Sequence, residues 1–209
     1  MMTRRGGMLP ISVDLAQTRV MLVGEGAAAC RRLKLLDEAG AAALEIFAPE
    51  PDPELAEAAG PRLRRRLPSP AEIAGAQLVF VAEAGDAAAG EIRRVAKAAG
   101  VLINVEDDRP KSDFHSAAVI RRGGLTVAIS TNGRSPGLAA LMRLVLEYRI
   151  GPEWEIWLDE IASLRQAWRN AGDDLATVGR RTREWAQVQG WFGPAKPNPA
   201  SQQPSGPIP

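Results

Sequence analysis

The stretch Val20-Met21-Leu22-Val23-Gly24-Glu25-Gly26-Ala27-Ala28-Ala29 leaves the chain few ways to fold. A short apolar run meets Gly-Glu-Gly and passes straight into an amphipathic segment. There Ala29, Leu33, Leu36 and Gly40 share one face, and Arg31, Lys34 and Glu38 share another. This is strand, tight turn and helix with the spacing G-x-G-x-x-A of dinucleotide-binding folds. Gly24 admits the turn, Gly26 lacks the Cβ that would hold a pyrophosphate off the backbone, and Ala29 lets helix and strand pack closely. The free N–H groups and positive dipole end of that helix suit phosphate. The same turn also occurs in α/β proteins that bind no nucleotide, so the rest of the chain has to decide.

At 209 residues the chain is long enough for one large domain or two small ones, and a 45% hydrophobic content fills an ordinary core. A net charge of +1 argues against nucleic-acid binding by bulk charge. Cys30 is the only cysteine, which excludes an internal disulfide, argues against a cysteine zinc site and fits a reducing, cytoplasmic setting. Its place beside the glycine turn reads as packing. Pro10, Ser12 and Asp14 interrupt the region after Arg4 and Arg5, against a signal peptide. No run approaches the roughly 18 apolar residues of a membrane helix.

In order, Leu9 to Leu15 reads as an extended lead-in, Arg19 to Val23 as a strand, and Ala27 to Ala39 as a helix closed by Gly40. Leu44 to Ala48 reads as a second strand ending at Pro49-Glu50-Pro51, where such a fold places residues that touch the adenosine ribose, with Glu50 the acidic candidate. Pro53 to Gly60 reads as a short helix. Arg62 to Leu67 reads as a short edge strand with Leu63 and Leu67 inward, its arginines forming a solvated face. The apolar runs Leu78 to Ala82 and Val101 to Val105 read as strands covered on both faces, joined by a helix from Ala87 to Ala99. Three acids, Glu106, Asp107 and Asp108, follow. The alternation predicts a parallel sheet with right-handed crossovers.

The pattern then changes. Ala117 to Ile120 and Leu125 to Ile129 predict a hairpin through Gly123-Gly124. Ser135 with Pro136 opens a helix running to about Tyr148, broken by Gly151-Pro152. Two more helices follow, one carrying Trp154, Trp157, Ile161, Leu164 and Trp168, the other opening at Asp173-Asp174. Their tryptophan stripes read as core. The Pro-, Asn-, Ser- and Gln-rich stretch 193–209 reads as a disordered tail.

Two segments carry a resemblance: Asn104-Val105-Glu106-Asp107 with Ser112-Asp113-Phe114-His115, and the run from Arg121-Arg122-Gly123-Gly124 through Ala128-Ile129-Ser130-Thr131-Asn132-Gly133-Arg134-Ser135-Pro136-Gly137-Leu138-Ala139. With Met8-Leu9-Pro10-Ile11 and the glycine turn, they resemble the precorrin-2 dehydrogenase and sirohydrochlorin ferrochelatase family, the dehydrogenase/ferrochelatase module of siroheme synthase. The match is strong over Leu9 to Tyr148 and loose to Trp191. It implies a Rossmann-type parallel sheet (1–110), a dimerisation segment of hairpin plus helix (111–150) and a small helical domain (151–192), in an intertwined homodimer. The implied reaction is NAD+-dependent oxidation of precorrin-2 to sirohydrochlorin. Many members then insert Fe(II) to give siroheme, whereas others leave metal insertion to a separate chelatase.

The resemblance places the essential aspartate at Asp107, just past a strand's C-terminal end, where α/β folds place ligand-binding groups. Its work would be proton removal during hydride loss or metal entry. NAD contacts fall on Gly24, Gly26, Ala27 and Ala28, and on Pro49 and Glu50. The eight carboxylates of the substrate need donors, for which Lys111, Arg121, Arg122 and Arg134 are the candidates. Thr131, also assigned to the substrate side, stands where some members have a modifiable serine. His115, the only histidine, is either a packing residue or a partner of Asp107 in proton transfer. One His and one Asp do not make a metal cage, so no resident metal is expected and any transient Fe(II) or Co(II) would be held mainly by the tetrapyrrole.

The chain departs from the family pattern at Glu25, at Ala82-Glu83-Ala84 after the third long strand, and in showing no methyltransferase region after the helices, from which the expectation is that it does not make precorrin-2. Two other classes remain open: a non-catalytic NAD-sensing dimer, and a chelatase that has lost the NAD step. The base at Asp107 argues against the first and the intact glycine turn against the second.

Overall fold

β1 (Arg19–Gly24) lies in the middle of a five-stranded parallel sheet, with every side chain after Arg19 buried. The computed structural model describes residues 8–191, so the 193–209 tail predicted above lies outside the described residues. After β1 come α1 (Gly26–Glu38), β2 (Ala43–Phe47), α2 (Pro53–Ala59), β3 (Leu63–Arg64), α3 (Pro70–Gly75), β4 (Leu78–Ala82), α4 (Asp86–Ala98) and β5 (Leu102–Val105). The sheet order is β3-β2-β1-β4-β5. The chain moves outward from β1 to β3 and then crosses to the other side of β1, which opens a crevice at the C-terminal ends of β1 and β4.

Alternation along the strands builds two cores. Val20, Leu22, Leu44, Ile46 and Phe80 point to one face and meet Leu33 and Leu36 of α1 and Leu55 of α2. Met21, Val23, Phe47, Val79, Val81 and Ile103 point to the other and meet Ile73 of α3 and Ile92 and Val95 of α4. A sheet covered on both faces explains the unbroken apolar run Leu78–Ala82, all five residues of which are buried. Gly40 closes α1 at φ +77, and the Ala41 N–H reaches back to the Leu36 carbonyl at 3.1 Å.

Two sequence readings need amending here. The strand predicted over Arg62 to Leu67 lasts only two residues, Leu63–Arg64, and Leu67 is 45% exposed rather than inward. The Arg66 N–H turns back to the Arg64 carbonyl at 2.8 Å, and the Arg66 guanidinium grips Glu72, so the chain leaves the sheet before Leu67. The α3 helix has no counterpart among the predicted elements, although Ser69-Pro70-Ala71-Glu72 carries its signature. The Glu72 N–H donates to Ser69 Oγ at 3.3 Å, and the Ser69 N–H donates to the Glu72 carboxylate at 2.8 Å.

The Arg66 guanidinium, joined by the Ser69 N–H and hydroxyl, holds the Glu72 carboxyl far below the usual carboxylate range. A carboxylate depressed in the folded state stabilises above its unfolded pKa and loses that contribution as pH falls. Acid unfolding of the wild-type chain is therefore expected to steepen below pH 4.5. Glu72→Gln should flatten that limb, checked by urea midpoints across the acid range. An unchanged limb would assign the acid sensitivity to other carboxylates.

The described residues divide into two compact units at the junction of Ser116 and Ala117. The second contains an antiparallel hairpin, β6 (Ala118–Arg122) and β7 (Leu125–Ile129), followed by α5 (Pro136–Arg149), α6 (Glu153–Asn170) and α7 (Leu175–Val188). Ser135 caps α5 by accepting from the Leu138 N–H at 3.3 Å, and Asp174 caps α7 by accepting from the Thr177 N–H at 2.7 Å. Trp154, Trp157, Trp185 and Trp191 form one half-buried aromatic cluster, with Trp154 and Trp191 ring centres 4.5 Å apart, whereas Trp168 of the predicted stripe packs under Arg181 and Leu175 is exposed, so the stripes are core only in part. By contrast α5 buries only Ala139 and leaves Leu138, Leu141, Met142 and Val145 exposed. No helix among the described residues is long and apolar enough to cross a membrane.

Candidate active site

The first turns of α1, the loop after β4 and the loop after β5 line a cleft of about 420 Å³. Ala28 and Arg31 of α1 form one wall, Glu83 to Asp86 the second, and Glu106 and Asp107 the third. Gly24 ends β1 with φ +153, paired with Ala82 of β4. A Cβ there would overlap the Ala82 carbonyl oxygen and stand 2.6 Å from its carbon. Gly26, at φ +64, faces the Glu83 carboxylate, which a Cβ would meet at 2.7 Å. The turn thus needs both glycines, the first for strand pairing and the second for the space above the helix end.

That space has the character of an anion site. The Ala28 N–H donates to Glu83 Oε2 at 3.0 Å, so a carboxylate already rests on the N-terminus of α1. A helix end held open by a missing Cβ and already serving a negative group fits the pyrophosphate of a dinucleotide. Glu25, the variable residue of the turn, accepts from the Glu50 N–H at 2.9 Å and so ties the loop after β2 to the glycine turn. Pro49 and Glu50 are exposed beside it, and Ala27 is exposed on α1.

Asp107 follows β5 with a left-handed backbone, φ +58, a region that Asp and Asn tolerate better than other residues with a Cβ. Its neighbours fix it from both sides. The Glu106 N–H donates to the Val81 carbonyl at 2.9 Å, and its carboxylate lies 3.7 Å from Arg31 and 3.9 Å from Arg32. Arg32 is largely buried, stacks over Phe80 at 5.2 Å, and has its pKa lowered by burial against the raising effect of Glu106. On the other side the Asp108 N–H donates to the Val105 carbonyl at 3.2 Å, and its carboxylate binds Lys111 Nζ at 2.7 Å, which lowers its pKa. The Asp107 carboxylate is exposed and, among the described residues, unpartnered. A carboxylate with free lone pairs on a fixed backbone can accept a proton from a bound molecule.

The segment beyond is stitched to β5. Ser112 Oγ accepts from the Val105 N–H at 2.9 Å, the Asp113 N–H donates to the Ile103 carbonyl at 2.7 Å, and its carboxylate accepts from the Ile103 N–H at 3.2 Å. Asn104 Nδ2 donates to the Phe114 carbonyl at 2.9 Å, and Phe114 meets Phe80 edge-on at 5.2 Å. Half-buried His115 follows this stitch and is not among the cleft-lining residues.

The remaining sequence candidates have different surroundings. Lys111 is engaged by Asp108 and, at 3.6 Å, by Asp86. Arg122 donates from Nε to the Ile150 carbonyl at 2.9 Å and lies 3.9 Å from Glu147, fastening the hairpin to the end of α5. Thr131 Oγ1 accepts from the Ser135 N–H at 3.1 Å, shaping the turn before α5. Arg121 and Arg134 are exposed. Sequence reasoning passes over Glu83 and Glu106 as site residues. The loop after a long buried strand is the available signal for Glu83, and the position beside Asp107 is the signal for Glu106.

Two segments of the chain match known families, one holding the glycine turn and the acidic loop and the other the hairpin turn. Residues 11–118 match the family described as putative NAD(P)-binding, and residues 122–147 match the sirohaem biosynthesis protein central family. Siroheme synthase 3 of Aeromonas hydrophila is 35% identical over 185 residues, covering 87% of this chain and 39% of that protein. Siroheme synthase of Chromobacterium violaceum is 41% identical over 145 residues, covering 66% of this chain and 30% of its own length. The chain thus spans well under half the length of these relatives. A solved structure titled SirC, precorrin-2 dehydrogenase, superposes with a TM-score of 0.69 over 89% of this chain and 93% of that one, at 21% identity, which shows a shared fold. The two family segments follow one another in sequence, the first holding the glycine turn and Asp107 and the second the hairpin turn and α5. On that basis the chain belongs to the family described as putative NAD(P)-binding, and it carries next to it the central segment of sirohaem biosynthesis proteins, as its siroheme synthase relatives would lead one to expect.

Proposed function

We propose that this chain is an NAD+-dependent precorrin-2 dehydrogenase, removing a hydride and a proton from precorrin-2 to give sirohydrochlorin. The observation that supports this most directly is the cleft itself. It joins an anion-accepting helix end, kept open by Gly26, to the Asp107 carboxylate, which is unpartnered among the described residues. When bound, NAD+ supplies the hydride acceptor. The N–H groups of Ala27 and Ala28 hold its pyrophosphate, and Pro49 and Glu50 border the adenosine ribose. Asp107 takes the proton that the substrate loses, in the environment fixed by Glu106 and Asp108. A sensor has no use for such a base.

Substrate carboxylates need cations that are not already paired. Arg121 and Arg134 are exposed, and we assign them that role. Lys111 and Arg122 would have to share theirs with existing partners, and His115 and Thr131 would act as supports. We assign the exposed apolar side of α5 to a second copy of the chain, in a homodimer built on hairpin and helix.

An anaerobic assay of the purified chain with precorrin-2 and NAD+ tests the reading, followed by NADH absorbance and the sirohydrochlorin spectrum. The expected result is one NADH per sirohydrochlorin. NAD+ binding without oxidation would overturn the dehydrogenase and favour the sensor. Adding Fe(II) or Co(II) after oxidation distinguishes a chain that also inserts metal from one that hands its product on. Light scattering of the same sample reads the dimer.

A further inference from the structure

Glu83 makes a contact that the proposed chemistry does not use. Its carboxylate fills the space that Gly26 leaves open and accepts the Ala28 N–H at 3.0 Å. The N-cap residue of α1, Glu25, makes no side-chain capping bond of its own and instead binds the Glu50 N–H. The negative group at this helix end therefore comes from a loop 55 residues away in sequence. Glu83 reaches it from a left-handed backbone, φ +55, a conformation that disfavours a long L side chain. Its residue is exposed at the cleft, and among the described residues no cation pairs with its carboxylate. One N–H and the helix dipole hold it, which is a weak hold compared with a salt bridge inside the protein.

We propose that the Glu83 carboxylate is an internal substitute for the cofactor's pyrophosphate, holding the α1 N-terminus and leaving it when the dinucleotide binds, so that this residue sets cofactor affinity. The proposal rests on the dinucleotide reading of the cleft. Two anions cannot share one helix end without repulsion, and the pyrophosphate has the greater charge and more acceptor oxygens. It displaces Glu83, and the binding free energy falls by what that displacement costs. The exchange also keeps the glycine turn supported at every stage, first by the carboxylate and then by the phosphates.

Glu83→Gln keeps the side chain's length and removes its charge. NAD+ and ADP-ribose, which carry the same pyrophosphate, are both expected to bind the variant about three- to tenfold more tightly than the wild type by titration calorimetry. The melting temperature without ligand should fall at the same time, because the helix end has lost its anion. Glu83→Ala, which removes the group altogether, should shift both quantities in the same directions. A purely structural role would lower the melting temperature and weaken both ligands, and equal or weaker binding by the two variants would overturn the proposal while leaving the cofactor reading intact. Failure of the wild-type chain to bind NAD+ or ADP-ribose would overturn both.

Discussion

Asp107→Asn is expected to lower precorrin-2 turnover by about a hundred- to ten-thousandfold, the usual loss when a positioned general base is removed. The substitution is the informative one because of the backbone it has to occupy. At φ +58 an alanine would strain the loop, whereas asparagine enters the left-handed region readily. The anchors on either side, Glu106 to Val81 and Asp108 to Val105, are main-chain bonds that the change does not touch. NAD+ affinity and melting temperature should stay close to wild type, so the lost turnover reports chemistry alone. Single-turnover NADH formation under anaerobic conditions checks it. Wild-type turnover in this variant would remove Asp107 from the mechanism.

Gly24→Ala is expected to destabilise the first unit by about 4 kcal/mol or more, enough to leave much of it unfolded at physiological temperature. The added methyl would overlap the carbonyl of Ala82, a backbone atom in the middle of a parallel sheet, and no rotamer change can relieve it. Gly40→Ala provides the control. That glycine also has a positive φ, yet nothing lies within 4 Å of the place its methyl would take. It should lose only about 1–2 kcal/mol, the cost of a left-handed residue with a Cβ. Urea unfolding of the two variants separates conformational cost from steric cost, and similar losses in both would show that the sheet opens around Gly24.

Most of the first unit was legible in the sequence because its signals are local. Val20 to Val23 read as a strand and Leu78 to Ala82 as a strand covered on both faces, and the glycine turn fixed where helix follows strand. Arg62 to Leu67 misled because its alternation promises an edge strand, whereas the chain's exit is decided by Arg66 reaching Glu72 on the following helix. The end of β5 pointed to three acids and the resemblance singled out Asp107 among them, but neither revealed its left-handed backbone, since that depends on what holds Glu106 and Asp108. Glu83 was least legible. Its partner is an amide 55 residues away, and nothing in Ala82-Glu83-Ala84 announces that a side chain there will turn back across Gly26. The hairpin and the helices after Ser135 followed from turn and cap residues, while the exposed apolar side of α5 is a property of packing that periodicity alone does not reveal.

The stitching of Ser112 and Asp113 along β5 has a consequence for how copies of this protein meet in a crowded solution. The outward-facing amides and carbonyls of Ile103 and Val105 are the groups that a foreign strand would use to extend the sheet, and all four are taken by the chain's own next turn. The opposite border of the sheet is β3, only two residues long. Neither border offers a long ladder to a neighbour, so this unit is guarded against the edge-to-edge growth that leads parallel sheets into aggregates. Weakening the stitch, for example through Ser112, would reopen one border and should appear as concentration-dependent turbidity before any loss of helix signal.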